Sequence, residues 1–168
     1  MSPFAGVGPR GLRTSRRTSD LPLPAERAWA VVASGRRRPQ WYADAAPFVV
    51  RGALDRLVGG RGRAWEPPGT PLLAAGNTAG FWRVLEAGHD GSRHRLLLEA
   101  AVRAPGRVLL HTEVDALDAS RSRLRQQVAF EPNGILGHAY LLADLPAREA
   151  VLALTHRRLL ADLRREAW

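Results

Sequence analysis

The sequence predicts an α+β fold: a curved antiparallel sheet wrapped around one long C-terminal helix, with two shorter helices after the first strand. Three observations point there. Gly80 to Ala87, Arg93 to Val102, Arg107 to Ala116 and Ser122 to Glu131 alternate apolar and polar residues, the period of strands with one buried face. Asp90-Gly91, Pro105-Gly106 and Asp118-Ala119-Ser120 separate these segments, and such short connections make the strands sequential and antiparallel. A corner, Glu131-Pro132-Asn133-Gly134, then leads into a leucine-rich stretch from Ile135 to Glu166, which has helical periodicity.

The elements follow in order. Arg13 to Ser19 reads as a polar edge strand. Pro24 suits the first turn of a helix, where its missing N–H costs nothing. Ala25 to Ser34 is that helix, with Ala28, Val31 and Val32 on one stripe and Gly35 as its C-cap. A second helical stretch opens at Trp41-Tyr42 and ends at Gly59-Gly60, with Phe48, Val49, Leu54, Leu57 and Val58 as its apolar positions. Leu72 to Ala75 is a candidate short strand. In the last helix, Pro146 is expected to introduce a kink near the middle.

At 168 residues one domain is the natural reading. Residues 1–12 are read as a loose tail and 13–168 as the domain. There is no cysteine, so disulfides and thiolate metal sites are excluded. The net charge is +9 and all 25 basic residues are arginine. They occur along the whole chain, whereas a nucleic-acid protein more often gathers them on one face with interleaved aromatics. No nucleic-acid partner is therefore expected. No stretch approaches the ~20 apolar residues of a membrane span, and Arg16-Arg17 is not followed by the apolar run of a secretory signal. The expectation is a cytoplasmic protein without membrane insertion, monomeric or homodimeric.

Certain segments carry a resemblance. They are Trp41-Tyr42, the run from Arg51 to Gly60, Phe81-Trp82-Arg83-Val84, Pro105-Gly106, Ser122-Arg123-Leu124-Arg125-Gln126, and Phe130 to Gly137 followed by Tyr140. In this order they resemble the DUF2867 family within the START-like, or SRPBCC (polyketide cyclase), superfamily, over the chain from Ser15 to its end. The resemblance implies a helix-grip fold with a pocket between sheet and terminal helix. Across the superfamily such pockets hold sterols, lipids, hormones or polyketides, and some members are cofactor-free cyclases, dehydratases or isomerases. No catalytic role carries over residue by residue. Thr112 stands where a bulky aromatic is commoner in the family.

The strand alternation places the candidate site residues. His94, Leu98, Leu110, Thr112, Gln126 and Phe130 fall on the inner side of their strands, and Trp82 with Val84 on the inner side of the first. Leu98, Leu110, Phe130 and Trp82 would form an apolar wall, which serves core packing equally well. Gln126 is an isolated amide between Leu124 and Val128; it is either a ligand contact or a structural hydrogen bond to a neighbouring element. Thr112 has a pocket role or simply suits a strand. His94 is the natural acid/base near neutral pH, or else a rim residue touching water. His138 and Tyr140 lie at the start of the last helix, where Tyr140 would cover a ligand or pack on the sheet. Arg83 is expected to pair with an acid on the outer face, the alternative being a carboxylate-binding role. The catalytic candidates are His94, Gln126 and Tyr140.

No metal-ligand spacing, phosphate loop, dinucleotide fingerprint or Gly-x-Ser-x-Gly elbow is present, so no metal and no cofactor is expected. The functional expectation is a container for a small hydrophobic or polyketide-like ligand. The alternatives are a cofactor-independent cyclase, dehydratase or isomerase using the same cavity and, more weakly, a basic protein for nucleic acid or an anionic surface.

Overall fold

The computed structural model describes residues 14–44, 67–101, 106–132 and 145–167. In chain order the elements are β1 (Thr14–Leu21), α1 (Ala25–Val32), β2 (Ser34–Gly35), α2 (Trp41–Asp44), β3 (Thr70–Leu72), β4 (Thr78–Ala79), β5 (Trp82–Asp90), β6 (Arg93–Ala100), β7 (Gly106–Ala116), β8 (Ser122–Pro132) and α3 (Leu145–Ala167). A six-stranded antiparallel sheet runs in the order β1-β8-β7-β6-β5-β4, and β2 pairs with β3 apart from it. The helix α3 packs on β1, β8, α1 and α2, while α1 also packs on β6, β7 and β8. This is the helix-grip arrangement. None of the helices is long and apolar enough to cross a membrane, among the described residues.

The expected alternation holds on β7 and β8 and, apart from the buried Leu97, on β6, while on β5 it holds only as far as Val84. His94, Leu96 and Leu98 on β6, Leu110, Thr112 and Val114 on β7, and Leu124, Gln126, Val128 and Phe130 on β8 are all buried. Leu96, Leu98, Leu110 and Leu124 are almost fully enclosed, and each contributes about 1.5–3 kcal/mol through burial of its side chain. Opposite them α3 presents Arg148, Leu152, Thr155, His156, Leu159 and Leu163, all buried, a stripe of helical spacing. On β5 the pairing slips between Val84 and Glu86. This bulge inserts one residue, so that Val84 faces Leu98 and Ala87 faces Leu96 on the same inner side.

The outer face is polar and cross-paired. Glu99 accepts from Arg83 and Arg107, Asp115 from Arg93 and Arg125, and Asp20 from Arg123. The Arg107 and Arg83 guanidiniums hold the Glu99 carboxyl below its ordinary value. The acidic partner expected for Arg83 is thus Glu99, the residue directly opposite on β6.

Several boundaries differ from expectation. The first strand extends to Leu21 and forms the edge beyond β8. The helix α1 stops at Val32, and Gly35 is a strand residue and not a C-cap. A Cβ at Gly35 would lie 2.5 Å from Thr70 Oγ1 and 2.9 Å from Thr70 O, so close approach of the β3 backbone favours glycine there. The expected strand at Leu72 to Ala75 lies earlier, at Thr70–Leu72, because it pairs with β2. The described part of the last helix begins at Leu145, one residue before Pro146, and its expected start at Ile135 lies outside the described residues. The apolar positions from Phe48 to Val58, the Asn133-Gly134 corner and the residues 1–12 lie outside the described residues, as do His138 and Tyr140.

Candidate functional site

Strand register sets the site. A row crosses the inner face from edge strand to bulge: Arg17, Gln126, Thr112, Leu96 and Ala87 are successive cross-strand partners. Its centre, Gln126 and Thr112, is polar although Leu124 and Val128 on β8 and Val114 and Leu110 on β7 flank it. Gln126, 0% exposed, donates from Nε2 to Thr112 Oγ1 at 3.3 Å. Its Oε1 lies 2.8 Å from His156 Nδ1 on α3. A carbonyl oxygen only accepts, so Nδ1 carries the imidazole proton. The other ring nitrogen, Nε2, lies 2.9 Å from Ser19 Oγ on β1 and accepts from that hydroxyl. The result is one directional chain, Ser19 to His156 to Gln126 to Thr112, joining α3 to three strands.

Burial, with the Arg17 charge second, pushes His156 below the ordinary imidazole value. The ring is therefore neutral at pH 7, the form that this chain requires. At its inner end, Thr112 is 1% exposed. Its oxygen accepts from Gln126, and no acceptor for its own proton stands among the described residues. Thr155 Oγ1, buried on the α3 stripe, also has no partner among the described residues.

His94 is not on the rim. It is 2% exposed and stacks on Trp29 of α1, with ring centroids 5.3 Å apart and planes 23° from parallel. Its Nε2 lies 3.3 Å from Glu26 Oε1, while Nδ1 is buried and without a partner among the described residues. Because His94 pairs with Val114 and Thr112 with Leu96, His94 and Thr112 are diagonal neighbours on one face. Trp82 donates its indole N–H to Tyr42 O at 2.8 Å, tying β5 to α2. Trp41 and Tyr42 in turn donate to Val32 O and Ser34 O. Trp82 thus has a structural duty.

The structure brings His94, Leu98, Leu110, Thr112, Gln126 and Phe130 to the buried side of one sheet. Sequence reasoning missed Ser19, Thr155 and His156. The available signal was the break in the helix stripe: between Leu152 and Leu159 the core positions fall on Thr155 and His156. Among the described residues no three His, Asp or Glu side chains gather as a metal-ligand set.

The family model described as "Protein of unknown function (DUF2867)" matches residues 12–154. The chain belongs to this family. No curated protein matches it. Among solved structures, this DUF2867 chain is similar to hypothetical protein jhp0584 from Helicobacter pylori, with 15% identity, 89% of this chain and 84% of that one covered, and a TM-score of 0.47. It is similar to the Zhui aromatase/cyclase from Streptomyces sp. R1128, with 16% identity, 93% and 96% covered, and a TM-score of 0.39. It is also similar to a START superfamily protein from Mycobacterium smegmatis, with 13% identity, 90% and 94% covered, and a TM-score of 0.36. Each likeness is remote, and the fold of the DUF2867 chain rests on its own strand order and register.

Proposed function

We propose that this protein binds a small, largely apolar molecule between the inner face of the sheet and α3, and that Thr112 donates a hydrogen bond to a carbonyl or hydroxyl oxygen of that guest. The supporting observation is the unspent Thr112 proton at the end of the buried chain. Buried polar groups are rarely left unpaired, and apolar sites with a few placed polar groups are the usual form of small-molecule pockets. Leu98, Leu110 and Phe130 supply the wall in this reading. Gln126, engaged at both ends, orients Thr112 and does not itself meet the guest.

A titration with an aromatic ketone and with the hydrocarbon of the same shape tests this. The ketone is expected to bind about tenfold more tightly, the equivalent of ~1.4 kcal/mol, and the preference is expected to vanish in Thr112→Val. Equal affinities in the wild type would remove the Thr112 contact. The cross-paired outer face weighs against a polyanion partner, because its guanidiniums already meet carboxylates.

A further inference from the structure

We propose that Ser19, His156 and Gln126 form a hydroxyl-nucleophile site at the seam between the edge strand β1 and α3, able to take the acyl group of a small carboxylic ester. The proposal concerns the outer end of the polar chain and does not rest on an interior guest. A serine is activated when a base lies within hydrogen-bond reach and a third group orients that base. All three parts are present. Ser19 Oγ is 2.9 Å from His156 Nε2. Gln126 Oε1, 2.8 Å from Nδ1, fixes the proton on the far nitrogen and leaves the Nε2 lone pair on the serine side. Thr112 holds the glutamine amide in turn.

The surroundings suit the chemistry. The lowered imidazole value keeps the base unprotonated near pH 7. Arg17 shares the helix-facing side of β1 with Ser19, and its guanidinium is held on Glu149 at 2.8 Å. Its charge adds to burial in holding the His156 ring unprotonated. Ser19 is half-buried, and no strand lies beyond β1 in the sheet among the described residues. No sequence motif announces such a site, because its parts come from β1, β8 and α3, with Ser19 and His156 separated by 137 positions.

In the first step Ser19 Oγ bonds to the ester carbonyl carbon and its proton passes to His156 Nε2. The bond from that carbon to the alkoxy oxygen then breaks, and the departing oxygen takes the proton from Nε2. A water molecule, deprotonated by the same nitrogen, attacks the acyl-serine. The carboxylic acid leaves and the proton returns to Ser19.

The test is incubation of the full chain with a fluorophosphonate, read by intact mass and peptide mapping. One equivalent is expected on Ser19, and none in Ser19→Ala. In His156→Gln, confirmed folded by its melting curve, labelling is expected to slow by at least about a hundredfold, the usual worth of a general base. A wild-type chain that is not marked at Ser19, or is marked there no faster than at the exposed hairpin residue Ser92, overturns the proposal without any variant. Equal labelling rates in the wild type and a folded His156→Gln variant overturn it as well.

Discussion

His156 Nδ1 stands 2.8 Å from Gln126 Oε1, and this bond fastens the C-terminal helix to the second strand of the sheet from its edge. Each partner is buried, and this bond is made from the ring nitrogen away from Ser19, so water does not take its place. Truncating one leaves the other orphaned, at a cost of about 1–3 kcal/mol. Gln126→Leu and His156→Leu are each expected to lose that much in denaturant unfolding. The double variant is expected to lose less than the sum, because no orphan remains across this bond. Strictly additive losses would show that the two side chains are not coupled.

The same histidine sets a pH dependence. Its folded value lies below the ordinary ~6.5 of imidazole. Below that ordinary value the unfolded chain binds a proton that the folded chain refuses, so stability falls as pH drops from about 6.5 toward the folded value. Above pH 6.5 this contribution is fully present. His111 is lowered too, mainly by burial, and adds a slope of the same sign. Unfolding titrations between pH 7.5 and 5 are expected to show a flatter slope in His156→Gln than in the wild type. An unchanged slope would assign the dependence elsewhere.

Two glycines of the β5–β6 hairpin region make a controlled pair. Gly91 sits at φ +58 and Gly88 does not share that conformation, while a Cβ at either would meet nothing within 4 Å. Gly91→Ala is therefore expected to cost about 1 kcal/mol through backbone strain alone. Gly88→Ala is expected to be neutral or slightly stabilising. Melting temperatures of the two variants measure the difference, and equal losses would contradict the turn geometry.

Thr112→Val separates stability from binding. The methyl that replaces the hydroxyl cannot accept from Gln126, so a loss of about 1–3 kcal/mol is expected on unfolding. The same change removes the donor to a guest. Binding of an oxygen-bearing guest is expected to weaken about tenfold, while that of a hydrocarbon is expected to stay within twofold. Calorimetry on both guests tells the two effects apart, and parallel losses would mean that Thr112 acts on the guest only through the fold.

The four long strands were legible because the period of two is written in residues such as Leu96 and Leu98 against Arg95, or Leu124 and Gln126 against Arg125. Gln126 and Thr112 could be placed on the inner side for the same reason. The partners of Gln126 could not, because a tertiary hydrogen bond between residues 30 positions apart leaves no periodic trace. His156 was further hidden by being polar on an apolar stripe. Gly35 was misread for a related reason: the pressure on it comes from Thr70 across a strand pair, not from the helix that it follows. The short strands β2, β3 and β4 are too brief to carry a pattern.

The most direct measurement is native mass spectrometry of the freshly purified chain beside its Thr112→Val variant, each before and after incubation with a pool of apolar ketones. A single noncovalent guest is expected on the wild type and roughly tenfold lower occupancy on the variant. A bare chain mass in every sample, with no uptake from the pool, would contradict it.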